Sequence, residues 1–141
     1  MSIVEDLAAD VLSRTGGDAD TLRKLLDRLD RELSASPIER TMRLWDVSLA
    51  QIGRMFGVSR QAATKWLIDG PPAARRDQIA LLGQATDLLD AWVKRDRIPA
   101  VVRRPVERFG GRSRLDVALK GEFEQLRDEL RDTFDLTRIA P

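Results

Sequence analysis

Apolar residues recur at intervals of three and four along most of this chain, and the runs are separated by glycine- and proline-rich breaks. Such spacing is typical of amphipathic helices that bury one face. The pattern therefore predicts an all-α fold, a bundle of short helices. The predicted helices cover residues 2–13, 19–33 and 37–45, two short helices within 48–67, and residues 73–94, 114–120 and 122–136.

The most informative stretch is 48–66, SLAQIGRMFGVSRQAATKW. Ser48 with Gln51 three residues later predicts a capping box at the start of a helix. Gly57 stands where that helix must end, since a left-handed C-terminal cap favours a residue without a Cβ atom. Gly53 occupies the position where two helices would cross most closely, and Ser59 predicts the cap of a second helix. The spacing predicts a helix-turn-helix.

The two faces of the second helix differ in chemistry. Its predicted inner positions are apolar: Ala63, Trp66 and Leu67, with Val58 as a buried plug before the helix. Its outer positions all carry hydrogen-bond donors: Arg60, Gln61, Thr64 and Lys65. Such a face suits the DNA major groove, where Arg reads guanine and Gln reads adenine. An ordinary helical hairpin in an all-helical core remains the alternative.

The residues that follow strengthen the DNA-binding interpretation. Residues 66–72, WLIDGPP, resemble the W-x-x-G-x-x-P tail after the recognition helix in Cro/C1-type (Xre-like) repressors. The fold class that this resemblance implies is a helical bundle with a Cro/C1-type helix-turn-helix and a C-terminal helical module.

Charge is distributed unevenly, although the formal net charge is only +1. Residues 49–76 contain five basic side chains and a single acidic one, Asp69. The positive charge therefore lies where a DNA backbone would be bound. The expected phosphate contacts are Ser48, Arg54, Ser59, Arg75 and Arg76. The expected target is double-stranded DNA with a near-palindromic site, bound by a homodimer.

The N-terminal segment, residues 1–35, predicts a helical hairpin with its turn at Gly16 and Gly17 and a cap at Asp18. The second helix carries a leucine stripe: Leu22, Leu25, Leu26, Leu29 and Leu33. The stripe packs either on its own chain or on a second copy, as a dimerisation arm. Residues 36–76 would then form the DNA-binding domain and residues 77–141 a helical C-terminal domain.

Within the C-terminal domain, residues 73–94 predict one long helix, or two with a joint near Gly83, linking the two halves of the chain. Pro99 and Pro105 predict short turns and loops, with Phe109 as a core anchor. A run of eight basic residues from Lys94 to Arg114 predicts a solvated face, an auxiliary phosphate contact or a contact with an acidic protein.

Composition excludes several kinds of chemistry. The chain has no Cys, His or Tyr, so disulfides, thiolate or imidazole metal sites and the commonest general base are missing. We expect no enzyme activity, no cofactor and no metal. The apolar runs are too short for a membrane span or a signal-peptide core, so a cytoplasmic protein without a membrane partner is expected.

The C-terminal half resembles the toxin-binding domain of Xre/MbcA/ParS-type antitoxins. The matching positions are Leu88, Leu89 and Trp92, the turn 105–109, Gly111, Asp116 and Val117, residues 121–123, Leu126 and Leu130. The resemblance implies a type II antitoxin and autorepressor, which binds operator DNA through one half and a RES-domain toxin through the other. The expected toxin contacts are Arg103, Arg104, Arg108, Arg112 and Phe123. A stand-alone transcription regulator and a helical protein-interaction module are the alternatives.

Overall fold

The computed structural model describes the backbone of residues 19–34 and 36–139 and the side chains of residues 19–26 and 36–135. Within them the chain is all-helical, as predicted, and contains no β-strand. The α-helices are α1 (Ala19–Ser34), α2 (Pro37–Trp45), α3 (Leu49–Phe56), α4 (Arg60–Asp69), α5 (Arg76–Trp92), α6 (Ile98–Arg103), α7 (Arg114–Leu119) and α8 (Phe123–Ile139). Three single 3₁₀ turns, Ala73–Arg75, Arg95–Arg97 and Glu107–Phe109, connect some of them.

The chain divides into two compact units, residues 1–35 and residues 36–141. In the first unit, α1 agrees with the predicted second helix of the hairpin. The predicted helix 2–13, its glycine turn and the Asp18 cap lie outside the described residues. Leu22, Leu25 and Leu26 are partly buried, whereas the side chains of Leu29 and Leu33 are not among those described.

In the second unit, α2 begins and ends where its sequence signals predict. The Ser36 hydroxyl accepts a hydrogen bond from the N–H of Glu39 (3.2 Å), and Pro37 occupies the first turn. The helix ends at Asp46, whose φ of 57° is left-handed. The N–H of Val47 donates to the carbonyl oxygen of Met42 (3.1 Å) and turns the chain into α3. Because the cap that ends α2 and the cap that begins α3 are so close in the chain, the connection between the two helices is short.

Helix α5 is continuous through Gly83 and packs against α2 on one side and α8 on the other. A joint at Gly83 is therefore wrong. Gly83 has no side chain, and this leaves room for the ring of Pro37. A Cβ atom at residue 83 would lie 3.2 Å from the Cβ of Pro37. Helix α5 is therefore packed between α2 and α8.

One polar contact joins α2 to α5 inside the core. The hydroxyls of Thr41 and Thr86 are 2.8 Å apart, and both residues are fully buried. The Thr41 hydroxyl donates its single proton to the carbonyl oxygen of Pro37 (2.8 Å), so Thr86 is the donor between the two threonines. Both buried hydroxyls are thereby hydrogen-bonded, as burial requires.

The core continues into the last three helices. Its fully buried large residues come from α2 to α8: Trp45, Ile52, Leu82, Leu89, Ile98, Val102, Val117, Phe123, Leu126 and Leu130. Phe109, expected as a core anchor, is only partly buried at the edge of this core. The last helix extends beyond the predicted residue 136 to Ile139. None of the helices in the described part of the chain is long and apolar enough to cross a membrane.

Candidate nucleic-acid interface

The turn between α3 and α4 has the local structure that the sequence predicts. Ser48 and Gln51 form a complete capping box: the N–H of Gln51 donates to the Ser48 hydroxyl (3.2 Å), and the N–H of Ser48 donates to the Gln51 side chain (2.9 Å). Gly57 ends α3 with a φ of 67°, in the left-handed region that favours glycine. The N–H of Val58 then donates to the carbonyl oxygen of Gly53 (2.8 Å) and closes the turn.

Helix α4 is anchored by its inner face. Ala63 and Trp66 are buried, and Leu67 is partly buried against the core. The Trp66 indole meets the ring of Phe56 edge to face, with centroids 5.5 Å apart, an arrangement that aromatic quadrupoles favour. Val58, predicted as a buried plug, is partly buried.

The outer face of α4 is exposed at Arg60, Gln61 and Lys65, as predicted. Thr64 differs: it is partly buried, and its hydroxyl donates to the carbonyl oxygen of Arg60 (3.0 Å). A helical Thr often forms this bond because the preceding turn is within reach of its side chain. In the unbound chain its one proton is therefore used inside the helix, and the hydroxyl oxygen is left as an acceptor.

Positive charge on this side of the molecule is not neutralised by ion pairs. Four exposed cations have no acidic partner among the described side chains: Arg54, Arg60, Lys65 and Arg76. The first turn of α4 contains no acid either. The N–H groups at the start of a helix carry a partial positive charge, so the helix terminus and the cations favour the same kind of ligand, an anion.

The serines expected at phosphates serve first as helix caps. The Ser59 hydroxyl oxygen accepts from the N–H of Ala62 (3.1 Å), and the Ser48 hydroxyl oxygen accepts from the N–H of Gln51. The Ser59 hydroxyl keeps its proton to donate, whereas the Ser48 hydroxyl donates its proton to Oε1 of Gln51 (3.3 Å), a bond that a phosphate would have to replace. Both residues are exposed, so a phosphate can reach them.

Arg75 is less free than expected. Its guanidinium lies 5.9 Å from the centroid of the Trp66 ring, and its Nη1 donates to Oε1 of Gln78 (3.1 Å). The side chain is partly buried. A guanidinium over an indole face is attracted by the ring quadrupole. Arg75 therefore connects the inner face of α4 to the start of α5.

Most of the basic run 94–114 is engaged within the protein. Arg108 pairs with Asp132 (2.7 Å), Arg112 with Glu122 (2.9 Å), and the carboxylate of Glu129 accepts from Arg114 at 2.5 and 3.0 Å. Arg103, which follows Pro99 in α6, donates to three backbone carbonyl oxygens. Of the four arginines expected to contact a toxin, Arg104 is the one whose side chain has no hydrogen-bond or ion-pair partner among the described residues.

Phe123, the fifth expected toxin contact, is only 2% exposed. Its ring lies 5.0 Å from that of Phe56, centroid to centroid. A side chain closed in the core presents no surface to a partner, so that assignment is wrong. Its place at the start of the predicted stripe Phe123, Leu126, Leu130 was the signal for a core position, since i, i+3 and i+7 share one helix face.

Two networks of charged side chains could not be predicted from any local pattern in the sequence. Arg40 of α2 contacts Asp87 and Asp90 of α5, and Arg95 donates to Asp90 (2.9 Å). The hydrogen bond from Arg95, helped by the charges of Arg95 and Arg40, lowers the pKa of Asp90 against the opposing effect of its burial. In the second network, the Thr133 hydroxyl donates to Oε2 of Glu129 (2.5 Å), the carboxylate that is also paired with Arg114. Both networks join helices rather than form a site.

No three acidic side chains in the described part of the chain are grouped so that they could hold a metal ion. Comparisons of the chain with protein-family models, with curated proteins and with solved structures found no match.

Proposed function

We propose that this chain is a sequence-specific DNA-binding protein with a Cro/C1-type helix-turn-helix, in which α4 enters the major groove. The observation that carries the proposal is the local excess of positive charge on and beside the α3–α4 pair. The cations Arg54, Arg60, Lys65 and Arg76 are exposed there and have no acidic partner among the described side chains, and residues 49–76 contain a single acid. Unpaired cations around an exposed helix are what phosphate binding requires.

The side chains divide into base-reading and backbone-binding groups. Arg60 and Gln61, in the first turn of α4, suit the edges of guanine and adenine. Lys65, one turn later, extends the same face, and Thr64 contributes an acceptor oxygen. Phosphates would be bound by Arg54, Arg76 and the hydroxyls of Ser48 and Ser59, which position the protein without specifying sequence.

A homodimer would place two copies of α4 about 34 Å apart, one helical turn of DNA, and so match a near-palindromic site. The leucine stripe of α1 is our candidate for the contact between copies. Leu22, Leu25 and Leu26 lie at the i, i+3 and i+4 positions of α1, which share one face of a helix.

The wider proposal is an antitoxin that represses its own operon and binds a RES-domain toxin through residues 77–141. It is supported by the sequence resemblance of that half alone. The engagement of Arg103, Arg108 and Arg112 and the burial of Phe123 leave fewer side chains for a toxin. We therefore put DNA binding first, with a stand-alone regulator and a helical interaction module as the competing functions.

The first test is selection of binding sites from random duplex DNA by the full chain, followed by affinity measurements from 50 to 200 mM salt. Enrichment of one near-palindromic site, with affinity that falls steeply as salt rises, supports the proposal. A protein that enriches no sequence, or whose binding ignores salt, is not a regulator of this kind. Identification of proteins that co-purify from its native cells separates an antitoxin from a stand-alone regulator.

A further inference from the structure

Arg103 joins the end of α6 to the end of α2. Its Nη1 donates to the carbonyl oxygens of Trp45 (2.7 Å) and Pro99 (2.8 Å), and its Nη2 donates to that of Asp46 (2.7 Å). Asp46 is the left-handed residue that ends α2, two positions before the Ser48 cap of α3. Hydrogen bonds from a charged donor are stronger than neutral ones. The segment after α6 is therefore held beside the chain that leads into α3.

The next residue, Arg104, is presented from a fixed backbone. The helical region is disfavoured for a residue before proline, and Arg104 adopts the extended φ −74° and ψ 142° in front of Pro105. Beyond it, Pro105 bridges to Ser113, and the N–H of Val106 donates to the carbonyl oxygen of Arg112 (3.0 Å). Because the backbone is already ordered, binding of the Arg104 side chain does not have to order the backbone as well.

The charge of Arg104 is available. The residue is exposed, and its guanidinium forms no hydrogen bond or ion pair among the described residues. The acids of the adjoining segments, Asp46 and Glu107, are not paired with it. Of the eight bases from Lys94 to Arg114, it is the one that is both unpaired and directly attached to the residue bonded to the end of α2.

We propose that Arg104 binds a DNA phosphate on the flank of the site contacted through residues 48–76, with Arg103 as the positioning residue. The inference rests on the proposed function, because it requires that the α3 end carrying Ser48 faces the DNA backbone. Duplex DNA presents a negative charge about every 1.7 Å along its axis. A cation next in the chain to Arg103, which is bonded to Trp45 and Asp46, would meet the backbone beyond the part that α4 reaches. The basic segment after α6 thereby extends the footprint of the α3–α4 pair.

The test compares the salt dependence of DNA binding for the full-length wild type, Arg104→Gln and Arg108→Gln on one selected duplex. Each phosphate contact contributes about 0.9 to the slope of log K against log salt. Arg104→Gln should therefore reduce the slope by about 0.9, so that its affinity falls about 3.5-fold less than that of wild type between 50 and 200 mM salt. Arg108 is the matched control, because it is similarly exposed but bonded to Asp132, and its variant should keep the wild-type slope.

Failure of the inference differs from failure of the proposed function. If wild type binds with a steep slope and Arg104→Gln runs parallel to it, Arg104 is not a phosphate contact and the proposed function stands. Loss of a co-purifying protein in that variant, with an unchanged slope, would assign Arg104 to a protein partner instead. If wild type shows no salt-dependent DNA binding, both proposals fall together.

Discussion

Gly53 lies so close to the carbonyl oxygen of Val58 that a Cβ atom on residue 53 would stand only 2.7 Å from it. The contact is with backbone, which cannot move aside as the end of a flexible side chain can. The same two residues are linked by the hydrogen bond from the N–H of Val58 to the carbonyl oxygen of Gly53. The crossing of α3 and α4 therefore depends on the missing side chain.

Gly53→Ala should destabilise the protein by about 1–3 kcal/mol, the usual cost of forcing a group into a packed site, despite the gain in helix propensity. Urea unfolding gives the free energy. Gly83→Ala is the comparison, since its Cβ would meet a proline side-chain carbon at 3.2 Å. We expect the smaller loss there. Equal losses of unfolding free energy in the two variants would mean that the α3–α4 crossing is no tighter than the contact between Gly83 and Pro37.

Arg60→Ala should weaken binding to the selected site by about 1–3 kcal/mol and relax the preference at one base pair, because a bidentate base contact is lost. Competition with single-base variants of the site measures both effects. Arg131→Ala is the control and should leave both unchanged, because Arg131 is an exposed cation on α8 without an ion pair among the described side chains. An Arg60 variant that binds as wild type does would show that α4 is read in a different register.

Arg75→Gln and Arg76→Gln should act differently on DNA binding. Arg76 is exposed and has no ion pair with any side chain that the structure describes, so its loss should lower the salt slope by about 0.9. Arg75 is engaged with Trp66 and Gln78, so its loss should reduce affinity by disturbing α4 while the slope stays the same. A lower slope for Arg75→Gln would make it a phosphate contact as well.

Glu129→Gln should cost about 3 kcal/mol in unfolding free energy, because it leaves the Arg114 guanidinium without its counter-charge in a largely buried place. Asp132→Asn provides the control, since it breaks the exposed pair with Arg108. Exposed pairs contribute at most about 1 kcal/mol. Similar losses in the two variants would argue that burial does not govern the Arg114–Glu129 pair.

Asp90→Asn should destabilise the protein near pH 7 and lose this effect in acid. The pKa of Asp90 is lower in the folded chain than its ordinary value of 3.8, mainly through the hydrogen bond from Arg95. The carboxylate therefore adds stability above the unfolded pKa, and this stability disappears as pH falls below about 4 and passes the folded pKa. Urea unfolding of both proteins at pH 7 and pH 3 should show the difference shrink. If the difference in unfolding free energy is the same at pH 7 and pH 3, the charge of Asp90 does not stabilise the fold.

Local features of this fold were predictable from sequence, because each depends on a few neighbouring residues. The Ser48 capping box, the left-handed Gly57 and the Ser59 cap are all found where the pattern places them. The outer face of α4 is exposed at Arg60, Gln61 and Lys65 for the same reason. Helical periodicity determines which side of α4 packs on the core.

Contacts between distant segments were not predictable, because spacing along the chain carries no information about them. Arg103 reaches carbonyl oxygens 57 and 58 residues earlier, and Arg40 reaches acids of α5. A basic run in sequence looks like a binding surface until its partners are known. The hydrogen bond from the Thr64 hydroxyl to its own helix was also missed from the sequence, although it spans only four residues.

The ring of Phe56 touches both Trp66 of α4 and Phe123 of α8. A fragment that stops at residue 76 would leave one side of this ring in water, together with the faces of α2 and α3 that pack on later helices. The smallest fragment that keeps this packing is therefore residues 36–141. The exposed face of α4 depends on the later helices and cannot be transferred without them.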